Sequence, residues 1–500
     1  MDRRSFIFAS AATFAGIRHT SAQMKMMDGM SGMPMGGVAK GAPGAGPTIL
    51  EGEAFRDLSR LANGSVALGQ FVGRLAAEPS TARIAKGIDT PILAYNGASP
   101  GPLIEATEGD HVAISFANRI PGEVSTIHWH GMSVPADQDG NPLDPVGSGS
   151  DRTYSFALPE GSAGSYWYHP HPHGLTAKQV YLGLAGPFIV KPKVDPIPAA
   201  YGDTVLFFTD LRLGPDGKMP ESTMVDLMNG RVGDHVLVNG QNNPVLSVPA
   251  GASRRFRLFN ATNARFLRLT FGDRPMTIIG TDGGLLEAPV FGVKDVLLAP
   301  AERLEVIVAF GQPGTATLRT LSYDRGWMGP GRPNDAGMKL LTVAISATKS
   351  EPQPLLPAKL RTIAEPGEPS VKRRFVFTET MSMGAKGMEM GFLINGASFD
   401  MSRVDVVSKA GDVELWEIAN AADMDHPFHV HGTQFQVVES ERGGKVSKPP
   451  YNAWKDTVNV ARGETVRILV QQRSPGPRMY HCHILEHEQL GMMGIVDVRA

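Results

Sequence analysis

The chain has 500 residues, 42% of them hydrophobic, with 57 glycines and 38 prolines, a composition that suits about three compact, turn-rich domains with ample core. Its single cysteine excludes an intrachain disulfide. A net charge of −2, with both signs mixed along the sequence, leaves no basic stripe for nucleic acid, so no nucleic-acid partner is expected.

The first predicted element is an export address. Asp2-Arg3-Arg4-Ser5-Phe6, the apolar run from Phe6 to Ile17 and the small pair Ser21-Ala22 read as a twin-arginine signal peptide over residues 1–22. The run is shorter than the about 20 residues of a membrane-spanning helix, so the expectation is a soluble periplasmic protein without a membrane span. A cytosolic chain with an accidental arginine pair is the alternative. Residues 23–47 carry Met24, Met26, Met27, Met30, Met33 and Met35 among Gly, Ser, Asp and Pro, the composition of a disordered tail. Thioether sulfur is a soft ligand that selects Cu(I), so the tail either captures cuprous ion or is a plain flexible leader.

Beyond the tail the sequence repeats. Tyr95-Asn96-Gly97, Val238-Asn239-Gly240 and Ile394-Asn395-Gly396 each open a turn-rich stretch, followed by a glycine (Gly109, Gly251, Gly411) and an alternating strand that ends near Asn118, Asn260 or Asn420. The pattern predicts an all-β chain of three consecutive β-sandwich domains over 48–195, 196–350 and 371–500, with a proline-rich linker at 351–370. In the first block the asparagine leads into His128-Trp129-His130, and in the third into His426 to His431. In the second it leads only into Asn263-Ala264-Arg265-Phe266-Leu267, so the middle domain is expected to hold no metal ligands and to act as a spacer.

The histidines are paired. Of fourteen, eight fall in the pairs His128/His130, His169/His171, His429/His431 and His481/His483. In an extended strand His481 and His483 share one face while Cys482 projects from the other, so one strand can serve two metal sites. Cys482, a histidine from elsewhere, His487 and Met492 make the His, His, Cys, weak-axial-Met set of a blue-copper centre, which suits copper better than a closed tetrahedral zinc site.

The segments HWHG, WYHPH, HPFHVHG and HCHILEHEQLGMM, spread over residues 128–493, resemble the copper signatures of the multicopper oxidases. The likeness is to the bacterial cuprous oxidase and laccase-like branch. It implies cupredoxin-like Greek-key sandwiches and four copper ions: a type 1 copper on His426, Cys482 and His487 with Met492 axial, a type 2 copper on His128 and His429, and a type 3 pair on His130, His169, His171, His431, His481 and His483. The cluster is expected between domains one and three, in a monomer that couples a one-electron donor to reduction of O2. The resemblance also points to Asp139 and Glu488 as proton-supplying carboxylates. Asp137 to Pro142 is equally plain turn chemistry, and Glu488 beside His487 has a second available role in orienting ligands.

The donor is either Cu(I), for copper tolerance, or a phenol or aromatic amine as in a general laccase. An axial methionine tunes the blue site toward easily oxidised donors. Asp423-Met424-Asp425 beside His426, with Met381, Met383, Met388 and Met390, form a candidate substrate-copper site, and the glycine and charge spacing of 381–390 predicts an exposed loop. Core-filling methionines are the alternative. A periplasmic copper-sequestering protein and a copper nitrite reductase remain as other classes, the latter opposed by the full type 3 complement.

Overall fold

The computed structural model describes residues 47–333, 336–384 and 387–500. The expected signal peptide, and the methionine-rich tail up to residue 46, lie outside the described residues.

Each sequence repeat becomes one two-sheet sandwich with the same opening. The strand Gln70–Ala85 runs antiparallel to Ile88–Tyr95 on one side and parallel to His111–Asn118 on the other. Thr204–Leu211 lies in the same way between His235–Val238 and Ala252–Asn260, and Val371–Gly384 between Gly387–Ile394 and Val413–Asn420. Parallel neighbours cannot be joined by a tight hairpin, so the chain crosses between sheets and returns. The chain forms three cupredoxin-like domains, built as sheets of four and four, six and five, and six and five strands.

The asparagines of the repeat explain why it recurs. Asn96, Asn239 and Asn395 adopt positive φ, each followed by a positive-φ glycine. Their side-chain oxygens accept from the backbone N–H of Ala76, Phe207 and Val376, and their amides donate to the carbonyls of Arg74, Val205 and Arg374. The second set, Asn118, Asn260 and Asn420, is buried, and each amide bridges two carbonyls at the sandwich corner: Glu123 and Val146, Arg265 and Leu298, Met424 and Val460. Buried backbone oxygens demand donors, and an asparagine amide supplies two from one side chain.

The methionine segment corrects one expectation. Residues 381–384 and 387–390 are not loop but strand, the ends of the antiparallel pair Val371–Gly384 and Gly387–Ile394, with Met381 opposite Met390 and Met383 opposite Met388. Glycine and charge at a hairpin end carry the same local signature as a loop, and the alternation in Phe375, Phe377, Glu379, Met381 and Met383 was the stronger signal. The core of the third sandwich takes in Val232, Ala264, Phe266 and Ala299 from the second, so the two are packed as one body on that side.

Candidate metal centres

Short strands bring the histidines together. His128–His130 pairs with Gly164–His169, setting His128 opposite His169. His426–Val430 pairs with Gly476–Cys482, setting His429 opposite His481 and Phe428 opposite Cys482. Pleating thus sends His429 and His481 to one face and Cys482 to the other. The strand ends at Cys482, and the bend after it still leaves the rings of His481 and His483 only 5.5 Å apart.

Three histidine groups sit between the first and third sandwiches, each with ligand atoms within 4.8 Å: His128, His130 and His429; His130, His169 and His483; His171, His431 and His481. All are buried. One nitrogen of nearly every ring is held as a donor. Nδ1 of His128, His169, His429 and His481 donates to the carbonyls of Asp139, Pro170, Asp456 and Cys482, at 3.0, 2.9, 2.8 and 2.9 Å. His431 Nδ1 donates to Asp139 Oδ2 at 2.8 Å and His130 Nε2 to Asp456 Oδ1 at 3.0 Å. The opposite nitrogens of His128, His130, His169 and His429, and both of His483, have no hydrogen-bond partner although buried, while the Nε2 atoms of His171 and His431 converge on that of His481 at 3.2 and 3.1 Å. Buried lone pairs without donors are costly in an apolar interior, and a soft or borderline cation is what they fit.

The second centre lies on the other face. His426 Nδ1 is 3.4 Å from Cys482 Sγ and 3.4 Å from His487 Nδ1. The loop is cinched: Cys482 N donates to Met492 O, Met492 N to His487 O, and Ile484 N to Cys482 Sγ. Met492 is fully buried in the same core cluster as Cys482.

Electrostatics match the geometry. Burial, reinforced by neighbouring imidazoles, holds His130, His171, His429, His431, His483 and His487 well below the usual histidine range, and burial lowers His481 to about 3. Neutral imidazole is the form that binds metal. Burial pushes the Cys482 thiol up, so a metal must displace its proton. Burial also raises Asp139, but the neighbouring His128, with Arg478, outweighs it and keeps that acid below the usual carboxylate range. Glu488, 3.6 Å from His171 Nδ1 and 3.7 Å from His481 Nδ1, is driven well above that range by burial.

The substrate-copper candidates divide. Met424 is fully buried with its sulfur 3.8 Å from Arg325 Nη1. Asp425 is buried and accepts from the Tyr323 hydroxyl at 2.6 Å and from Arg462 N at 2.9 Å. Both are therefore corner residues beside His426, withdrawn from bulk solvent. Met381 and Met383 are 55% and 78% exposed, Met390 is half-buried and Asp423 is exposed; the Met388 side chain lies outside the described residues.

The sequence reading missed Glu379. Its Oε1 is 3.2 Å from Nε2 of His426, its Oε2 accepts from Asp423 N, and strand alternation puts it on the face of Met381 and Met383. The same hairpin presents Phe392, stacked on His487 at 3.8 Å, while His487 Nε2 donates to the Met228 carbonyl of the middle sandwich. Asp456, buried between His130 and His429, was also missed, because a carboxylate flanked by Lys455 and Thr457 carries no local signal of its partners.

Comparison with known proteins agrees with this arrangement. Multicopper oxidase domain models match residues 76–195, 214–322 and 368–500. The chain is 32% identical to the multicopper oxidase mco of Staphylococcus aureus over 432 residues, covering 85% of this chain and 88% of that one. It is 30% identical to the laccase of Bacillus subtilis (strain 168) over 474 residues, with 82% and 90% covered. A solved multicopper oxidase from Campylobacter jejuni, described as a metallo-oxidase, superposes with a TM-score of 0.85 at 39% identity, covering 91% and 96%. The chain belongs to the multicopper oxidase family. It is an oxidoreductase that uses copper, with O2 and a reducing substrate as reactants.

Proposed function

We propose that the chain is an exported cuprous oxidase carrying four coppers: type 1 on His426, Cys482, His487 and Met492, type 2 on His128 and His429, and a type 3 pair on His130, His169 and His483 and on His171, His431 and His481. The partition into three groups plus the cysteine centre supports this assignment. Bound copper supplies one-electron redox chemistry and the reduction of O2 to water. One chain provides every ligand, so we take the working unit to be a monomer. The paired arginines at the N-terminus support the twin-arginine route to the periplasm, and among the described residues no helix is long and apolar enough to cross a membrane.

The chain's own residues divide the remaining work. Cys482 lies between His481 and His483 in the backbone, so a continuous covalent path joins the two centres. Glu488 is a buried acid beside His171 and His481, its protonated form favoured by burial, placed to supply a proton. Asp139 holds His431 and His128 in the tautomer that aims Nε2 inward.

The observation that carries the choice of donor is the hairpin face. It touches both histidines of the cysteine centre, through Glu379 and Phe392, and runs outward to the exposed thioethers Met381 and Met383. Soft sulfur beside carboxylate is a cradle for Cu(I). The description of the Campylobacter relative as a metallo-oxidase points the same way. The test is a Met381→Leu, Met383→Leu double variant. Cu(I)-dependent O2 uptake should fall while oxidation of an organic dye is spared. Equal loss of both, or no loss of either, excludes a dedicated cuprous site and favours a general laccase; copper-loaded protein that consumes no O2 with any donor favours sequestration.

A further inference from the structure

The middle sandwich contributes no ligand to the described histidine groups, yet one of its residues reaches both others at the trinuclear site. Glu302-Arg303 meets Lys455-Asp456 of the third sandwich in a crossed double pairing. Glu302 Oε1 lies 3.1 Å from Lys455 Nζ. Arg303 Nη1 and Nη2 form a fork on Asp456 Oδ1 and Oδ2 at 2.7 and 2.5 Å. The fork's third donor, Nε, reaches the carbonyl of Ser165 at 2.7 Å, on the strand of the first sandwich that ends in His169. Asp282 closes the lattice by accepting from Arg303 N and pairing with Lys455.

Asp456 is the point at which this lattice touches the imidazoles. Its carboxylate accepts from Nε2 of His130, from the first sandwich, and its carbonyl accepts from Nδ1 of His429, from the third. The two rings stack at 3.8 Å with 15° between their planes, which leaves His130 Nδ1 and His429 Nε2 as the unpartnered nitrogens. Gly131 shows how closely the parts meet: a Cβ there would stand 2.1 Å from Asp456 Oδ2 and 2.8 Å from Arg303 Nη2. The glycine of the HWHG motif thus makes room for the ion pair. A buried ion pair stabilises little relative to apolar residues of the same volume. What a planar, bidentate guanidinium does provide is direction.

We infer that Arg303 is a positioning residue for the trinuclear copper site: by fixing Asp456 against Ser165 it sets the orientation of His130 and His429. This rests on the copper assignment proposed above, and the copper content of the wild type checks that assignment separately. The test compares copper-loaded wild type with Arg303→Met, Arg303→Lys, Asp456→Asn and a Glu302→Gln control that weakens the neighbouring Glu302–Lys455 pair while leaving Lys455 on Asp282. Arg303→Met and Asp456→Asn should change or abolish the type 2 electron paramagnetic resonance signal and lower O2 uptake at saturating dye by about 10- to 100-fold. The blue thiolate band should stay intact, Arg303→Lys should recover part of the signal, and the control should match wild type. Should Arg303→Met yield no blue protein, Asp456→Asn decides alone. Wild-type type 2 spectra in the forked-pair variants, or the same spectral loss in the control, overturn the inference. A wild type without four coppers fails the copper assignment instead.

Discussion

Glu379 Oε1 lies 3.2 Å from Nε2 of His426, and that carboxylate is 9% exposed at the junction between the cysteine centre and the methionine hairpin. A carboxylate there accepts the ring N–H and holds His426 in the tautomer whose Nδ1 faces Cys482. It also puts negative charge where the proposed Cu(I) donor would approach. Glu379→Gln keeps the shape and removes the charge. The expected result is an unchanged blue band with Cu(I)-dependent O2 uptake lowered by about tenfold, which corresponds to ~1.4 kcal/mol of barrier. Stopped-flow reduction with Cu(I) and with a neutral aromatic donor measures it; equal slowing of both donors shows damage to the centre itself and sinks the charge argument.

Glu488 offers a second separation of roles. Burial drives its acid well above the ordinary range beside His171 and His481, which favours the protonated form. A glutamine retains a hydrogen-bonding group of the same length and loses the transferable proton. Glu488→Gln should slow O2 consumption by about 10²- to 10⁴-fold, while anaerobic bleaching of the blue band by donor proceeds at the wild-type rate. If O2 consumption is instead unchanged, Glu488 only orients ligands.

Copper removal should expose an acid sensitivity that the metal masks. In the copper-free protein burial holds His481 at about 3, against about 6.5 in an unfolded chain. Between these values the unfolded state binds a proton that the native state does not, so stability falls as pH falls from about 6.5 toward 3. His130, His171, His429, His431, His483 and His487 are lowered for the same reason and add slopes of the same sign. Glu488, raised by burial, has the opposite slope: its contribution is present below about 4.5 and lost as pH rises through its folded value. The histidines outnumber it. Thermal midpoints of the copper-free protein should therefore drop from pH 7 to pH 5, and those of the copper-loaded protein should change less, because copper binds the neutral imidazoles that protons would otherwise claim. Parallel curves for the two forms would contradict this.

The threefold sandwich was legible because its determinants are local. An asparagine before a glycine closes a turn by its own side chain, and an asparagine at a strand end bridges carbonyls only a few residues away on one side. The histidine pairs were legible for a related reason: their spacing of two is local, and His128 and His130 share a face of one strand, while His171, His431 and His483 each follow just past a strand end. Glu379 was half-legible: the alternation that continues from Phe375 and Phe377 through Met381 and Met383 includes it, but its neighbour His426 lies 47 residues on. The burial of Met424 and Asp425 was not legible, because adjacency to His426 in sequence does not fix exposure to solvent. A corner buries them while leaving Asp423 exposed.

The sequence by itself determined which histidines fall in closely spaced pairs and that the middle repeat has no such pair, because both are properties of residue type and local spacing. Only the tertiary structure decided which histidines share a group, which nitrogen of each ring is left unpaired, and how Arg303 reaches Asp456 across 153 residues. Those relations depend on the packing of three sandwiches against one another, and no periodicity within a strand encodes the distance between two strands that the chain brings together from opposite ends.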